Sequence, residues 1–320
     1  MLRHRQVAPP HHLDLEYGGV GAFSTGTGLR LAEEALTRRP HYPEALNTKA
    51  LALKRLGRRE EALAALTLAA TSLAERLRKG TARVLSQDRL TEKQLFDRLG
   101  IPLPAYRSVD SAADLEAAAR EIGLPLVVKT RRLGYDGKGQ YVLRDLTQID
   151  AAVEELGGSD LIAEQWVAFD CEVSAIGVRN PAGDMATYCL TQNEHGEGIL
   201  RISRAPVKND PLTDRANGYM QRLLDDLDYV GVLALELFVV GEDLLANEFA
   251  PRVHNSGHWT IEGAVCSQFE NHVRAILDLP LGETRAVGHA GMVNFLGELP
   301  ALEDVLAEML GRGITVGKAT

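Results

Sequence analysis

Cysteine, tryptophan and aromatic residues in general are scarce in this 320-residue chain: three Cys, two Trp, and 5% Phe, Trp and Tyr together. Cys171, Cys189 and Cys266 are odd in number, far apart and in no metal-ligand spacing. That excludes a disulfide framework and a cysteine-built zinc site, and it predicts reduced thiols in a cytoplasmic protein. Long apolar runs are also missing. Nothing approaches the roughly 18 residues of a membrane span, and the opening MLRHRQVAPPHHLDLEYGG has no apolar core of signal-peptide length. Basic excess is absent too, since the net charge is −9, which argues against nucleic acid as a partner. The expectation is a soluble, cytoplasmic protein with no membrane association.

What the chain does have is an ordinary globular composition, 45% hydrophobic and 25% charged. Its length can bury one large core or two smaller ones. Charge divides it: residues 1–84 carry 14 Lys and Arg against 8 Asp and Glu, whereas the rest carries 21 against 36. Residues 1–26 are rich in Pro, His and Gly without a period and read as an irregular lead-in. His4, His11 and His12 there fit an exposed polar terminus better than a metal site. Residues 27–80 read as a helical segment, with apolar residues three and four apart over 28–77. Leu46, Ala50, Leu53, Gly57, Ala62, Leu66 and Ala69 occupy the packing and turn positions of a tetratricopeptide-like hairpin. Ala35, Leu36 and Pro40 resemble the end of a preceding unit, and Ala35 and Ala69 stand one 34-residue period apart. So short an array cannot bury its own apolar face. It must dock on the following domain, the plainer reading, or bind a protein partner.

From residue 81 to 300 the pattern is mixed, and the fold class it predicts is α+β. Helices are expected at 90–99, 111–122, 145–156, 212–227 and 260–277. Strands are expected at 124–130, 140–144, 161–167, 171–178 and 184–191, with a hairpin of 232–240 and 243–250 around Gly241. Residues 301–320 read as a short tail.

Four stretches carry chemistry. Lys129 ends an apolar strand and is followed by Gly134, Gly137 and Gly139 with Lys138, a loop whose backbone N–H groups can approach phosphate oxygens. Glycines alone would equally make a simple hairpin turn, and the spacing is that of neither a P-loop nor a Rossmann turn. EQWVAFDCEV (164–173) can offer main-chain groups to an adenine and Glu164 and Glu172 to a ribose; surface carboxylates beside a turn fit as well. Glu236 and Glu248 lie twelve residues apart in two apolar strands. Lone carboxylates there are costly, and two across a hairpin repel unless cations neutralise them, which suggests magnesium. A structural ion pair with Arg or Lys is the alternative. Finally, APRVHNSGHW (250–259) crowds Arg252, His254, Asn255, Ser256 and His258 directly after a strand, where Arg252 could hold an oxyanion. Asn-Ser-Gly between the two histidines is poor helix, which makes a two-histidine zinc face an unlike reading.

With these residues in hand, residues 85–300 resemble the ATP-grasp region of the N5-carboxyaminoimidazole ribonucleotide synthetase family of purine biosynthesis. The stretches that carry the resemblance are QDRLTEK (87–93), GYDGKGQ (134–140), EQWVAFDCEVS (164–174), NEHGEGIL (193–200), NEFAPRVHNSGHW (247–259) and MVNFLGEL (292–299). The resemblance implies a glycine-rich lid within about residues 100–170. It implies ATP contacts at Arg89, Lys129, Gly134, Tyr135, Asp136, Gly137, Lys138, Gly139, Gln140, Glu164, Gln165, Trp166, Val167, Glu172, His195, Asn247 and Glu248. It also implies Mg2+ at Glu236 and Glu248, and catalytic handling of substrate by Arg252, His254 and Asn255. The implied substrates are ATP, bicarbonate and aminoimidazole ribonucleotide, and the implied assembly is a homodimer. The family's opening Rossmann-like domain, with its GGGQLG-type turn, and its closing Lys- and Arg-bearing stretch have no clear counterpart here. The expectation is therefore intact ATP binding with impaired acceptor binding. An ATP-holding module joined to a partner-binding hairpin, and an ATP-grasp ligase for another acceptor, are the two alternatives.

Overall fold

The run GVLALELFVV forms a strand apolar on both faces, and a strand of that kind has to be covered from both sides. It sits inside the largest of three antiparallel sheets among the described residues. The computed structural model describes residues 15–16, 19–20, 25–38, 43–62, 64–65, 86–132, 139–196, 198–208, 210–295 and 301–311. His4, His11, His12, Pro40, Leu66, Ala69 and the loop residues Gly134, Tyr135, Asp136, Gly137 and Lys138 lie outside the described residues.

After a short ladder of β1 (Leu15–Glu16) with β2 (Gly19–Val20), two helices follow, α1 (Thr25–Arg38) and α2 (Pro43–Arg55). Gly57 then turns the chain with φ +77°, a conformation that glycine adopts without strain. Ala50, Leu53 and Ala62 are buried in this segment. Ala35 and Ala45 pack with Leu277, and Val273 and Ile276 close around them, so the helices lie against a helix of the later domain.

The smaller sheet runs β3 (Tyr106–Val109), β6 (Leu161–Gln165), β4 (Leu126–Thr130), β5 (Gln140–Leu143) in spatial order. One face carries Val109, Leu126, Val128, Leu143 and Leu161 against helices α4 (Ala112–Ile122) and α5 (Ile149–Leu156). Alternation along β4 sends Val127 and Lys129 to the other face, toward a cleft. Ahead of this sheet stands α3 (Arg89–Arg98). Its N-cap Asp88 accepts from Leu90 N and pairs with Arg131 at 2.7 Å, which fastens the helix to the end of β4.

The larger sheet has the order β12 (Asp243–Ala250), β11 (Gly231–Val240), β7 (Cys171–Arg179), β9 (Thr191–Gly196), β10 (Ile199–Ala205), β13 (Ala290–Val293), with β8 (Met185–Thr187) also on β7. Leu233, Leu235, Leu237 and Val239 pack on α6 (Asp210–Asp226). Val232 and Ala234 face Trp259 and Ala275.

Three sequence expectations need correcting. The helix at 260–277 is two, α7 (Thr260–Gly263) and α8 (Gln268–Ile276). Between them Ala264 is extended, Val265 N donates to Arg285 O, and Ser267 caps the second helix. The strand at 184–191 stops at Thr187, where Tyr188 turns inward and its hydroxyl donates to Cys266 O at 3.0 Å. The tail contains a helix, α9 (Leu302–Gly311).

Candidate active site

A cleft of about 480 Å³ opens between the two sheets, and its acidic floor depends on one extra residue. β11 and β12 join through Gly241, which has φ +59°. Next to the turn the ladder is regular: Val239 faces Leu244, and Leu237 faces Ala246. Beyond it the register shifts, so that Glu236 faces Glu248. Asn247 is the extra residue of a β-bulge. In a regular ladder Glu248 would share the face of Leu244 and Ala246, which lies in the core packed by α6. The bulge turns Glu248 to the cleft beside Glu236 and returns Phe249 to the core.

Glu248 is open to solvent on the floor of the cleft, but the surrounding walls partly desolvate its carboxylate and push it above the usual range, and the negative charge of Glu236 adds to this. Burial acts on Glu236 as well, but His254 more than offsets it and holds that group low. His254 Nδ1 accepts from Ser256 N, so the ring proton sits on Nε2 and is donated to Glu236 Oε1 at 3.1 Å. Two opposed carboxylates, Glu236 half-buried and Glu248 open to the cleft, one destabilised by the other, suit a divalent cation. Among the described residues no group of three or more His, Cys, Asp and Glu could hold a metal. A pair of carboxylates matches magnesium, which usually takes one or two from protein and the rest from water and phosphate.

Cations line the opposite wall. Lys129 Nζ donates to Glu164 Oε2 at 2.9 Å, and Lys93 Nζ lies 3.5 Å from the same oxygen. Burial pushes Glu164 up, but the two ammonium groups outweigh it and hold its pKa at about 2. Its other oxygen, Oε1, is buried with no hydrogen-bond partner among the described residues, which leaves an acceptor for a ligand donor. Arg89 is anchored by donation to Thr130 O at 3.1 Å. His195 Nδ1 and Glu172 Oε2 approach to 2.5 Å; burial lowers His195, but Glu172 outweighs it and the ring is held above its ordinary value. Phe169 and Phe238 stack with centroids 4.8 Å apart. Trp166 is 43% exposed, with Arg144 over its ring. The other indole, Trp259, is buried and donates to Thr191 Oγ1 at 2.8 Å.

The structure brings together every described site residue that the family resemblance implied. Arg89, Lys129, Gly139, Gln140, Glu164, Gln165, Trp166, Val167, Glu172, His195, Glu236, Asn247, Glu248, Arg252, His254 and Asn255 all line the cleft. His258 is set apart, beside Phe269 with ring centroids 5.3 Å away. The partner of Glu236 is His254 rather than the Arg or Lys of the ion-pair alternative. Sequence reasoning passed over Phe169, Phe238 and, most tellingly, Glu92 and Lys93. Both of the last pair are buried, on the α3 face of Leu95 and Phe96; their three- and four-residue spacing from Phe96 was the available signal.

Burial, reinforced by Glu248, raises Glu92 to about 8. A carboxyl raised in the folded state contributes stability below its unfolded value near 4.5, and that contribution is lost as pH rises through about 8. Thermal unfolding without magnesium should therefore show stability falling between about pH 5 and pH 8. Glu92→Gln should flatten that limb; an equally steep fall in the variant would show that Glu92 does not set it.

The pattern of the ATP-grasp domain matches residues 94–269. The chain is 53% identical over 223 residues to the N5-carboxyaminoimidazole ribonucleotide synthase of Pseudomonas aeruginosa, an alignment covering 70% of this chain and 62% of that one. It is similar to the crystal structure of the Thermus thermophilus synthetase, with TM-score 0.66, 45% identity and coverage of 82% and 68%. The Aspergillus clavatus synthase, solved with ADP and 5-aminoimidazole ribonucleotide, gives TM-score 0.63 at 28% identity, covering 70% and 61%. The chain spans about three-fifths of the length of the curated relatives it matches.

Proposed function

The chain belongs to the ATP-grasp domain family, and from that premise we propose that it uses ATP and magnesium to carboxylate the amine of 5-aminoimidazole ribonucleotide with bicarbonate, a step of purine biosynthesis. The observation that carries the reading is the opposed pair Glu236 and Glu248 facing Lys129 and Arg89 in one cleft. Lys129 and Arg89 offset phosphate charge, and the Glu164 oxygen that has no partner among the described residues accepts from a nucleotide donor. When bound by Glu236 and Glu248, magnesium neutralises charge on the phosphate oxygens.

A bicarbonate oxygen attacks the γ-phosphorus and ADP departs, giving carboxyphosphate. The exocyclic amine then attacks the carboxyl carbon and phosphate leaves. Arg252, at the mouth of the strand, holds the anion as charge develops. His254 keeps Glu236 ionised and oriented. A cytoplasmic location goes with this reading, in keeping with three free thiols, and a homodimer is the assembly to test by light scattering.

The test is ADP release in magnesium with and without bicarbonate, then with the aminoimidazole acceptor added. ADP release is expected to require bicarbonate, with the carboxylated acceptor appearing among the products. Nucleotide binding without bicarbonate-dependent turnover would favour an ATP-holding module. Turnover that ignores bicarbonate would favour a ligase for another acceptor.

A further inference from the structure

Two buried ionisable side chains on α3 have no place in the chemistry above, although both reach the strand that carries Glu248. Glu92 and Lys93 are 3% and 1% exposed. Polar side chains so deep are costly unless each is hydrogen-bonded, and a charged one unless it is also paired. Their partners are backbone groups on either side of Glu248. Lys93 Nζ donates to Asn247 O at 2.6 Å, and Phe249 N donates to Glu92 Oε1 at 2.6 Å.

β12 is the edge of its sheet, so one row of its backbone groups has no strand to pair with. The bulge at Asn247 disrupts the ladder further. Glu92 and Lys93 take up two of those groups, and Ala246 N donates to Pro102 O at 2.7 Å just before them. Lys93 also lies 3.5 Å from Glu164 Oε2, on the sheet across the cleft.

We propose that Glu92 and Lys93 are positioning residues that clamp the β12 bulge and so hold the Glu248 carboxylate against Glu236 in the geometry a divalent cation needs. Neither side chain is among those lining the cleft. They act through the main chain, and Lys93 ties the acidic floor of the cleft to its cationic wall. This inference rests on the reading of Glu236 and Glu248 as a magnesium site.

The test uses the full chain with Mg2+ and ADP, titrating magnesium at fixed nucleotide and following unfolding in parallel. Lys93→Met removes the donor at similar volume. Glu92→Leu removes the acceptor, and Glu92→Gln keeps an oxygen for Phe249 N. Lys93→Met and Glu92→Leu should raise the half-saturating magnesium concentration about 10- to 100-fold, the range for a lost supporting contact. Nucleotide affinity at saturating magnesium should largely recover. Glu92→Gln should stay near the parent, a rescue that loss of core packing would not give. If Lys93→Met does not fold, the Glu92 pair decides. Folded variants with the parent's magnesium dependence, or Glu92→Gln as impaired as Glu92→Leu, would overturn the clamp. A parent chain that binds ADP without regard to magnesium would instead remove the metal-site reading itself.

Discussion

Glu248→Gln is expected to weaken magnesium-dependent nucleotide binding by about a hundred-fold or more, while making the metal-free chain more stable. The two effects share one cause. Glu248 stands directly opposite Glu236 on the open floor of the cleft, and both desolvation by the cleft walls and that neighbour raise it. Gln keeps the shape, removes the repulsion and leaves only a neutral oxygen for the cation. Glu248 is open to solvent, so the repulsion is screened and the gain in stability should stay below about 1 kcal/mol; loss of function is the usual companion of such a substitution. Calorimetric titration with ADP at saturating magnesium, beside thermal unfolding without metal, reads both. Unchanged affinity would dismiss Glu248 as a metal carboxylate. A less stable variant would mean the carboxylate is structurally paired after all.

Lys129→Met should fail in a different way, losing both nucleotide binding and stability. Glu164 is 4% exposed and relies on Lys129 and Lys93 for its charge. Breaking one partner from a buried pair costs about 3 kcal/mol at the low end, and Lys93 keeps the loss near that end. The melting temperature should fall by roughly 6–12 °C. Adding Glu164→Gln removes the stranded charge and keeps an oxygen beside Lys93, so the double variant should recover most of the stability. It should not recover nucleotide affinity, because the cation that faces the phosphates is still gone. Coupling of this kind between contacting residues is what a double-mutant cycle measures. Recovery of ADP binding along with stability would show that Lys129 serves the fold rather than the nucleotide.

Much of this site was legible in the sequence because polar groups interrupted apolar strands. Glu236 within VLALELFVV could not be explained by core packing, and the crowd from Arg252 to Asn255 stood directly after a strand. Less legible was how Glu236 meets Glu248. A two-residue turn at Gly241 sets a register that would place Asn247 opposite Glu236, and only the bulge moves Glu248 there. Bulges leave no periodic mark. Glu92 and Lys93 were hidden for the opposite reason: charged residues on a helix normally mark its wet face, and here tertiary contacts with an edge strand reverse that. Helix 260–277 was misread because 264–267 pairs with residues far along the chain, which local propensity does not register.

The chain's two tryptophans are divided in a way that gives it an optical signal of its own. Trp259 is sealed in the core, and its indole N–H is committed to Thr191. Trp166 stands half-open on the wall of the cleft, beneath the guanidinium of Arg144. Buried indoles emit toward the blue and hydrated ones toward the red, so the red edge of the emission belongs to Trp166. A nucleotide entering the cleft displaces water from that ring alone. Cleft occupancy can therefore be followed in the unlabelled protein as a change confined to the red edge, against the steady emission of Trp259.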